Sequence, residues 1–180
     1  MILLSASNPS PDSDGTTFSG DTATLRPVLF GDSTATDAVT GKRVTLNLSD
    51  PDFSEVVPRS VPRFGGDFVL DSQGDGELVF VAHPGGPDQH NTVLTRNAQV
   101  DDTAFVTDPH GMLFVVDNAN NDIVAIRGSF RRGEAFSAVP SGSSTPAALD
   151  ESNLGNGDET PFAIGIGSPH GVLFVPGDRD

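Results

Sequence analysis

The sequence predicts an all-β fold built from short antiparallel strands, and three observations support this prediction. Short runs of apolar and β-branched residues recur along the chain, and polar turns separate them. The 180 residues include 20 glycines and 14 prolines, a content typical of many short strands joined by tight turns. No segment keeps the 3.6-residue apolar period of an amphipathic helix for more than two turns.

Residues 103–129, TAFVTDPHGMLFVVDNANNDIVAIRGS, show the strand pattern most clearly. Apolar runs alternate here with a Pro-Gly turn and an Asn-rich loop, which are signals for the ends of strands. The strands predicted in and after this segment are residues 104–107, 112–116, 123–126 and 134–139. Four consecutive antiparallel strands of this kind are typical of one blade of a β-propeller.

Segments similar to residues 103–129 recur along the chain. Similar strands are predicted at residues 68–71, 77–82 and 91–96. The repeated apolar phrases are VLFGD at 28–32, LVFVA at 78–82, LFVVD at 113–117 and VLFVPGD at 172–178. Their phenylalanines, Phe30, Phe80, Phe114 and Phe174, are 50, 34 and 60 residues apart. Because propeller repeats run about 40–50 residues, the mean spacing favours blades with inserted loops.

We therefore predict four-stranded antiparallel propeller blades over residues 21–180, with the last one truncated, after a flexible tail at residues 1–20. A chain of this length holds about three to four blades, too few to close a ring. The propeller is therefore predicted to be incomplete or to be completed by association, as in a homodimer. A compact β-sandwich of irregular hairpins is the alternative fold.

The order of motifs in residues 106–126 matches a known blade pattern. Asp108, Pro109, His110 and Gly111 form a D-P-x-G turn, and strand 113–116, Asp117, Asn120, Asn121 and Ile123 follow it. This order resembles the NHL-type blade and its relatives in the gluconolactonase (regucalcin) and streptogramin-lyase propellers. The resemblance covers about 25 residues well and implies a propeller fold. In the lactonases it also implies a catalytic divalent ion in the central channel.

The composition excludes several kinds of partner. The net charge is −15 and Lys42 is the sole lysine, so the surface is expected to repel nucleic acid and anionic membranes. Without cysteine, disulfides and thiolate metal sites are excluded, and without Trp or Tyr no groove stacks its ligand on those rings. No signal peptide is predicted at the N-terminus, although the acidic composition favours an extracellular or periplasmic setting.

Closely spaced aspartates predict Ca²⁺ as the possible cofactor, because hard cations prefer carboxylate and carbonyl oxygen ligands. Asp117 opens the Asn-rich loop and is one candidate ligand. By position, the lactonase resemblance implies that Asp67, Asp101 and Asp102 are the nearest equivalents of the channel ligands. The alternative is that these side chains accept hydrogen bonds from backbone N–H groups at turns and strand ends.

Histidines supply the other candidates. His110 and His170 each lie in a Pro-His-Gly sequence, and His170 precedes the apolar run at 172–175. Streptogramin lyases carry similar stretches at their inner strands, so the resemblance implies a metal ligand or catalytic base at His170. His83 and His90 flank a Gly/Pro loop, but a zinc site needs a third ligand that the sequence does not identify. The alternative for all four is a loop histidine without chemistry.

Two functions remain as hypotheses. The first is a non-catalytic propeller whose loop face binds a protein or a small-molecule ligand. The second is a divalent-metal-dependent lactonase or lyase, in which Asp67, Asp101, Asp102 or His170 face the channel and the ion polarises a substrate oxygen. Ser, His and Asp are all present, but no motif in the sequence assigns a Ser, a His and an Asp to one catalytic set.

Overall fold

A computed structural model describes residues 2–5, 13–142 and 146–177 of the chain. In this part of the chain every regular element is a β-strand, apart from one 3-10 turn at Gln73–Asp75, so the all-β prediction is confirmed. None of these elements is a helix long and apolar enough to cross a membrane. The chain divides into two compact units. Unit 1 comprises Met1–Val56 and Gly66–Thr95, and unit 2 comprises Val57–Gly65 and Arg96–Asp180.

Unit 1 contains two sheets. The first is antiparallel, in the order β1 (Ile2–Ser5), β2 (Ser13–Ser19) and β3 (Thr22–Leu29). Of these, β1 and β2 lie within residues 1–20, for which the sequence predicted a tail. The second sheet has the order β5-β4-β9-β8-β7-β6, and its pairs are antiparallel except β4 with β9.

The six strands of this second sheet are β4 (Thr34–Asp37), β5 (Arg43–Thr45), β6 (Pro51–Val56), β7 (Phe68–Ser72), β8 (Glu77–Ala82) and β9 (His90–Thr95). The strands predicted at 68–71, 77–82 and 91–96 are thus confirmed to within one residue. Phe68 and Leu70 on β7 and Val79 and Val81 on β8 are buried in one cluster, which forms the core of this unit. Alternate residues on each strand supply it, as the two-residue period of a strand requires.

Unit 2 is a β-sandwich of two antiparallel sheets. The four-stranded sheet has the order β10 (Asp102–Phe105), β13 (Ala135–Val139), β14 (Ala148–Ser152) and β15 (Glu159–Ile164). The three-stranded sheet has the order β12 (Asp122–Ser129), β11 (His110–Asp117) and β16 (Pro169–Pro176). The two sheets share one buried core, because residues of both belong to a single apolar cluster.

Phenylalanine rings connect the two sheets of the sandwich. Phe130, which follows β12, lies 5.7 Å from the ring of Phe136 on β13 and 5.6 Å from that of Phe174 on β16, both edge to face. Leu113 and Val115 on β11 complete the centre of the cluster with no exposed surface. Edge-to-face rings add about 0.5–1.5 kcal/mol per pair beyond the burial of their apolar area. This contact therefore stabilises the packing of one sheet on the other.

The predicted propeller blade is not confirmed. Its strands exist close to the predicted positions, but β10 and β13 belong to one sheet of the sandwich while β11 and β12 belong to the other. The chain crosses between sheets twice where a blade would make hairpins, so the apolar faces of β10 and β11 meet across the core. The spacing of the strands along the sequence is the same in a propeller blade and in this arrangement. None of the sheets is closed. Unit 2 has the architecture of the alternative, a β-sandwich.

A cross-link tests the pairing of β11 with β16. Phe114 and Leu173 are directly opposite one another in this pair, whereas a blade made of consecutive strands keeps them apart. Antiparallel partners have Cα atoms about 4.5–5.5 Å apart, within the range of a disulfide. We expect the double variant Phe114→Cys/Leu173→Cys to form an intramolecular disulfide on mild oxidation. Mobility on a non-reducing gel and peptide mass spectrometry measure it.

The natural chain has no cysteine, so no other thiol competes. The matched control is Phe114→Cys/Val172→Cys, in which the second thiol moves by one residue to the opposite face of the strand. Equal cross-linking in both variants, or none in the first, contradicts this pairing.

Candidate functional site

The carboxylate of Asp117, at the end of β11, accepts hydrogen bonds from two segments of unit 2 that are far from each other in sequence. Its Oδ1 accepts a hydrogen bond of 3.1 Å from the N–H of Ala119 in the following loop and one of 2.9 Å from the N–H of Ser168. Its Oδ2 accepts bonds of 2.7 Å from the N–H of Gly167 and 2.8 Å from Nδ2 of Asn120. These bonds lower the pKa of Asp117 to about 2, the bond from Gly167 most of all, although burial opposes them.

Gly167 has no room for a side chain at this point. A Cβ there would lie 2.8 Å from Cβ of Ala119 and 3.1 Å from Oδ1 of Asp117. The loop 165–168 therefore lies directly on the carboxylate and leads into β16. β15 ends at Ile164 and β16 begins at Pro169, so Gly165 and Gly167 belong to the connection between these two strands.

Asp101, His170 and Ser168 form a continuous hydrogen-bonded relay. Nδ1 of His170 pairs with Oδ2 of Asp101, and Nε2 of His170 lies 3.1 Å from Oγ of Ser168. Asp101 is buried, with 6% of its side chain exposed, whereas His170 is 39% exposed. A histidine that contacts a buried carboxylate on one nitrogen and a hydroxyl on the other is oriented as a general base toward that hydroxyl.

Local strand geometry aims His170 toward Asp101. The register of β11 with β16 passes from Val116–Gly171 to Asp117–Pro169, so His170 is the extra residue of a β-bulge. Bulges of this kind re-aim a side chain. Asp102, next to Asp101, accepts a 2.8 Å hydrogen bond on Oδ2 from the N–H of Val172. Its Oδ1 accepts one of 2.8 Å from the N–H of Thr103, so Asp102 fixes the start of β16.

The structure thus places three of the four predicted aspartates, Asp101, Asp102 and Asp117, around the segment 167–172 that contains His170. Their carboxylates accept hydrogen bonds from backbone N–H groups or pair with the histidine. Among the described residues no group of three or more His, Asp or Glu side chains is arranged to hold a metal ion. Ca²⁺ binding stays a prediction.

The remaining candidates lie elsewhere. Asp67 belongs to unit 1, where partial burial raises its pKa and the nearby His83 and His90 oppose that change. His110 begins β11, so antiparallel pairing places it at the opposite end of the three-stranded sheet from His170. The two Pro-His-Gly sequences therefore do not form one site.

A chain of buried polar side chains, which the sequence analysis missed, crosses the four-stranded sheet. Thr103 and Ser137 join their hydroxyl oxygens at 2.8 Å, Ser137 contacts the hydroxyl of Ser152 at 2.5 Å, and Ser152 donates to Oε2 of Glu159 at 2.6 Å. Arg96 lies 3.8 Å from Oε1 of Glu159, and both side chains are 1% exposed. Burial raises the pKa of Glu159 to about 7, although the arginine and the hydroxyl bond favour its charged form.

A groove of about 530 Å³ in unit 2 contains three arginines, Arg63, Arg131 and Arg132. Each already has partners. Arg63 donates to the carbonyls of residues 154 and 155, Arg131 pairs with Glu134 at 2.6 Å, and Arg132 pairs with Asp108 at 3.3 Å. The groove therefore offers little net positive charge to an anionic ligand.

The outer side of the three-stranded sheet is apolar except for Arg127 on β12, which is paired with Met112 and contacts its Sδ at 3.9 Å. On each strand the residues that alternate with the buried core positions point away from the core. Strand pairing places them in adjacent rows, with Phe114 beside Ala125 and Leu173. We call this set the apolar face: Met112, Phe114, Val116, Ile123, Ala125, Leu173 and Val175. Ile123 is 65% exposed and Leu173 is 60% exposed.

Comparison with protein-family models, with curated proteins and with solved structures finds no match to this chain. The resemblance to NHL-type propellers stays a prediction.

Replacing Asp117 with Asn tests the connection between the loop and β16. Its pKa is lowered from 3.8 to about 2 in the folded state, so its stabilising contribution is complete above about pH 4 and is lost as the pH falls to 2. We expect Asp117→Asn to be less stable at pH 7 and to lose less stability than the natural chain between pH 4 and 2. Urea unfolding across this pH series measures the difference.

The matched control is Asp122→Asn, an exposed aspartate at the end of the same loop. Parallel stability curves for Asp117→Asn and the natural chain would contradict the assigned role.

Glu159 has the opposite linkage. The pKa of Glu159 is raised from 4.5 to about 7 in the folded state. Its contribution to the free energy of unfolding is therefore complete below pH 4.5 and is lost as the pH rises toward 7. We expect Glu159→Gln to remove this decline, up to about 3 kcal/mol at roughly 1.4 kcal/mol per pKa unit. The measurement is the slope of the unfolding free energy against pH between 4.5 and 7.5, because loss of the Glu159 carboxylate beside Arg96 also lowers the absolute stability of the variant. Glu151→Gln, half exposed on the same sheet, is the control and should keep the slope.

Proposed function

We propose that this protein is a non-catalytic binding module whose partner docks on the apolar face of unit 2. The supporting observation is a block of apolar side chains on one exposed sheet surface, with Ile123 and Leu173 each more than half exposed. Adjacent rows of exposed apolar side chains offer a surface that an apolar partner segment can cover, and removing apolar area from water is favourable. The proposal does not require the central channel of a propeller, which the lactonase alternative does.

The edge of the same sheet supports a particular mode of docking. β12 and β16 are the two edge strands of this sheet, and only β12 contains no proline, whereas β16 begins and ends with one. An edge strand presents a row of backbone donors and acceptors that accepts a further strand. A partner segment added beside β12 in extended conformation would continue the apolar face with its own alternating apolar side chains.

The charge of the chain indicates the chemistry of the partner. A second copy would bring another net charge of −15, and like charges oppose association. The face is also small: three strands about 4.8 Å apart, with five residues at about 3.4 Å each, span roughly 250 Å². A stable interface buries about 800 Å² on each partner. The proposed partner is therefore a basic protein segment in which apolar residues alternate with Lys or Arg. Electrostatic attraction to the acidic chain also favours such a segment.

Binding to a model peptide tests this proposal. The probe is a fluorescent peptide of alternating valine and lysine, and its counterpart alternates valine and glutamate. We expect the lysine peptide to bind with salt-sensitive affinity and the glutamate peptide not to bind. Leu173→Asp should weaken binding at least about tenfold, which corresponds to about 1.4 kcal/mol. Fluorescence anisotropy measures the affinity.

Val39→Asp is the matched control, since Val39 is 58% exposed but lies in unit 1. Equal loss of binding in Val39→Asp and Leu173→Asp would indicate a general charge effect and overturn the proposal. Light scattering of the natural chain supplies a second test. A dimer that Leu173→Asp dissociates would assign the face to a second copy instead of a basic partner.

A further inference from the structure

The relay of Asp101, His170 and Ser168 has a chemical consequence that binding does not require. Ser168 contacts the ring nitrogen of His170 that faces away from Asp101. For this network to be satisfied, Nδ1–H of His170 donates to Asp101, and Nε2 accepts the hydroxyl proton of Ser168. This is the tautomer in which a histidine activates a serine as a nucleophile.

The position of the relay keeps it accessible. Asp101 is buried and orients the ring, His170 is partly exposed, and Ser168 is half-buried in the loop before β16. Asp117 fixes the backbone on both sides of the peptide bond between Gly167 and Ser168. The hydroxyl is thus held on a rigid segment rather than on a free loop.

The same bonds limit what the serine does next. Hydrolysis of an acyl-serine needs donors for the negative oxygen of the tetrahedral intermediate, and the loss of one such donor costs about 10²–10³ in rate. The two backbone N–H groups next to the hydroxyl, those of Gly167 and Ser168, already donate to Asp117. These two groups do not serve as an oxyanion hole, which slows both acylation and deacylation. An activated ester still acylates the serine because its leaving group is stable, whereas hydrolysis of the acyl-serine must expel the serine alkoxide.

We propose that Ser168 is an activated acceptor hydroxyl that takes an acyl group from activated esters and keeps it. Oγ of Ser168 attacks the ester carbonyl carbon while its proton passes to Nε2 of His170. The bond from that carbon to the leaving alcohol breaks, and the departing oxygen takes the proton from His170. The products are acyl-Ser168, the free alcohol and a neutral histidine. Asp101 is a positioning residue for His170.

The test uses p-nitrophenyl acetate with the full chain. We expect a burst of about one equivalent of p-nitrophenolate per chain without turnover. Peptide mass spectrometry should then find one acetyl group on Ser168. Few other side chains keep an acetyl group, because the chain has no cysteine and a single lysine, Lys42, and acetyl-histidine hydrolyses. Ser168→Ala should abolish the burst, and His170→Gln should slow it about 10²-fold, the usual contribution of a general base.

Two control variants and one variant of the positioning residue distinguish the chemical role of the relay from a structural one. Ser129→Ala removes another serine of unit 2, and His110→Gln removes the histidine of the other Pro-His-Gly sequence, so both should keep the burst. Asp101→Asn should slow acylation while Ser168 remains the labelled residue. Far-UV circular dichroism and urea unfolding verify that each variant is folded.

Two outcomes overturn the proposal. Unchanged labelling kinetics in folded His170→Gln would show that Ser168 is not activated by the relay. Release of many equivalents of p-nitrophenolate that depends on Ser168 would show a hydrolase, with oxyanion donors outside the two amides named above. Neither outcome bears on the peptide-binding test, because that test depends on Leu173 and the apolar face.

Discussion

The arrangement of unit 2 depends on one carboxylate. Asp117 accepts hydrogen bonds from backbone N–H groups on both sides of a fifty-residue interval, at Ala119 and at Ser168. These bonds join the turn after β11, the central strand of the three-stranded sheet, to the entry of β16, which pairs with it. The register of β16 therefore follows from the position of Asp117. That register decides which residues face the core, which form the apolar face and where His170 points.

Most strands are predictable from the sequence, but their pairing is not. Apolar runs located β8 at 77–82 and β13 at 134–139 almost to the residue, because burial of alternate side chains leaves a local signal. Whether β10 pairs with β11 or crosses to the other sheet depends on contacts with β13 and β16, which are distant in sequence. The repeated apolar segments indicate only that each strand is buried, so they are equally compatible with a propeller blade and with a β-sandwich.

In the candidate site, too, residue types can be predicted from the sequence, whereas contacts between distant residues cannot. Asp101, Asp102, Asp117 and His170 were identified from residue type and position, and the structure places all of them around the start of β16. The prediction that they hold a metal rests on the propeller resemblance, which assumes a channel. Ser168 was not predicted, because its role comes from a bulge at His170 and from bonds to Asp117, and neither has a sequence signature. The polar chain ending at Glu159 is likewise a product of strand register.

β16 connects the two proposals physically, although their tests are independent. Leu173 and Val175 on this strand belong to the apolar face, whereas His170 belongs to the relay at its beginning. A shift of β16 by one residue would turn Leu173 into the core and expose Val172, because neighbouring side chains lie on opposite faces. It would also move His170 away from Asp101. The bonds from Asp117 to the loop and from Asp102 to Val172 oppose that shift at the same end of the strand. A few carboxylate–amide hydrogen bonds thus fix the strand register on which both the proposed binding surface and the proposed nucleophile depend.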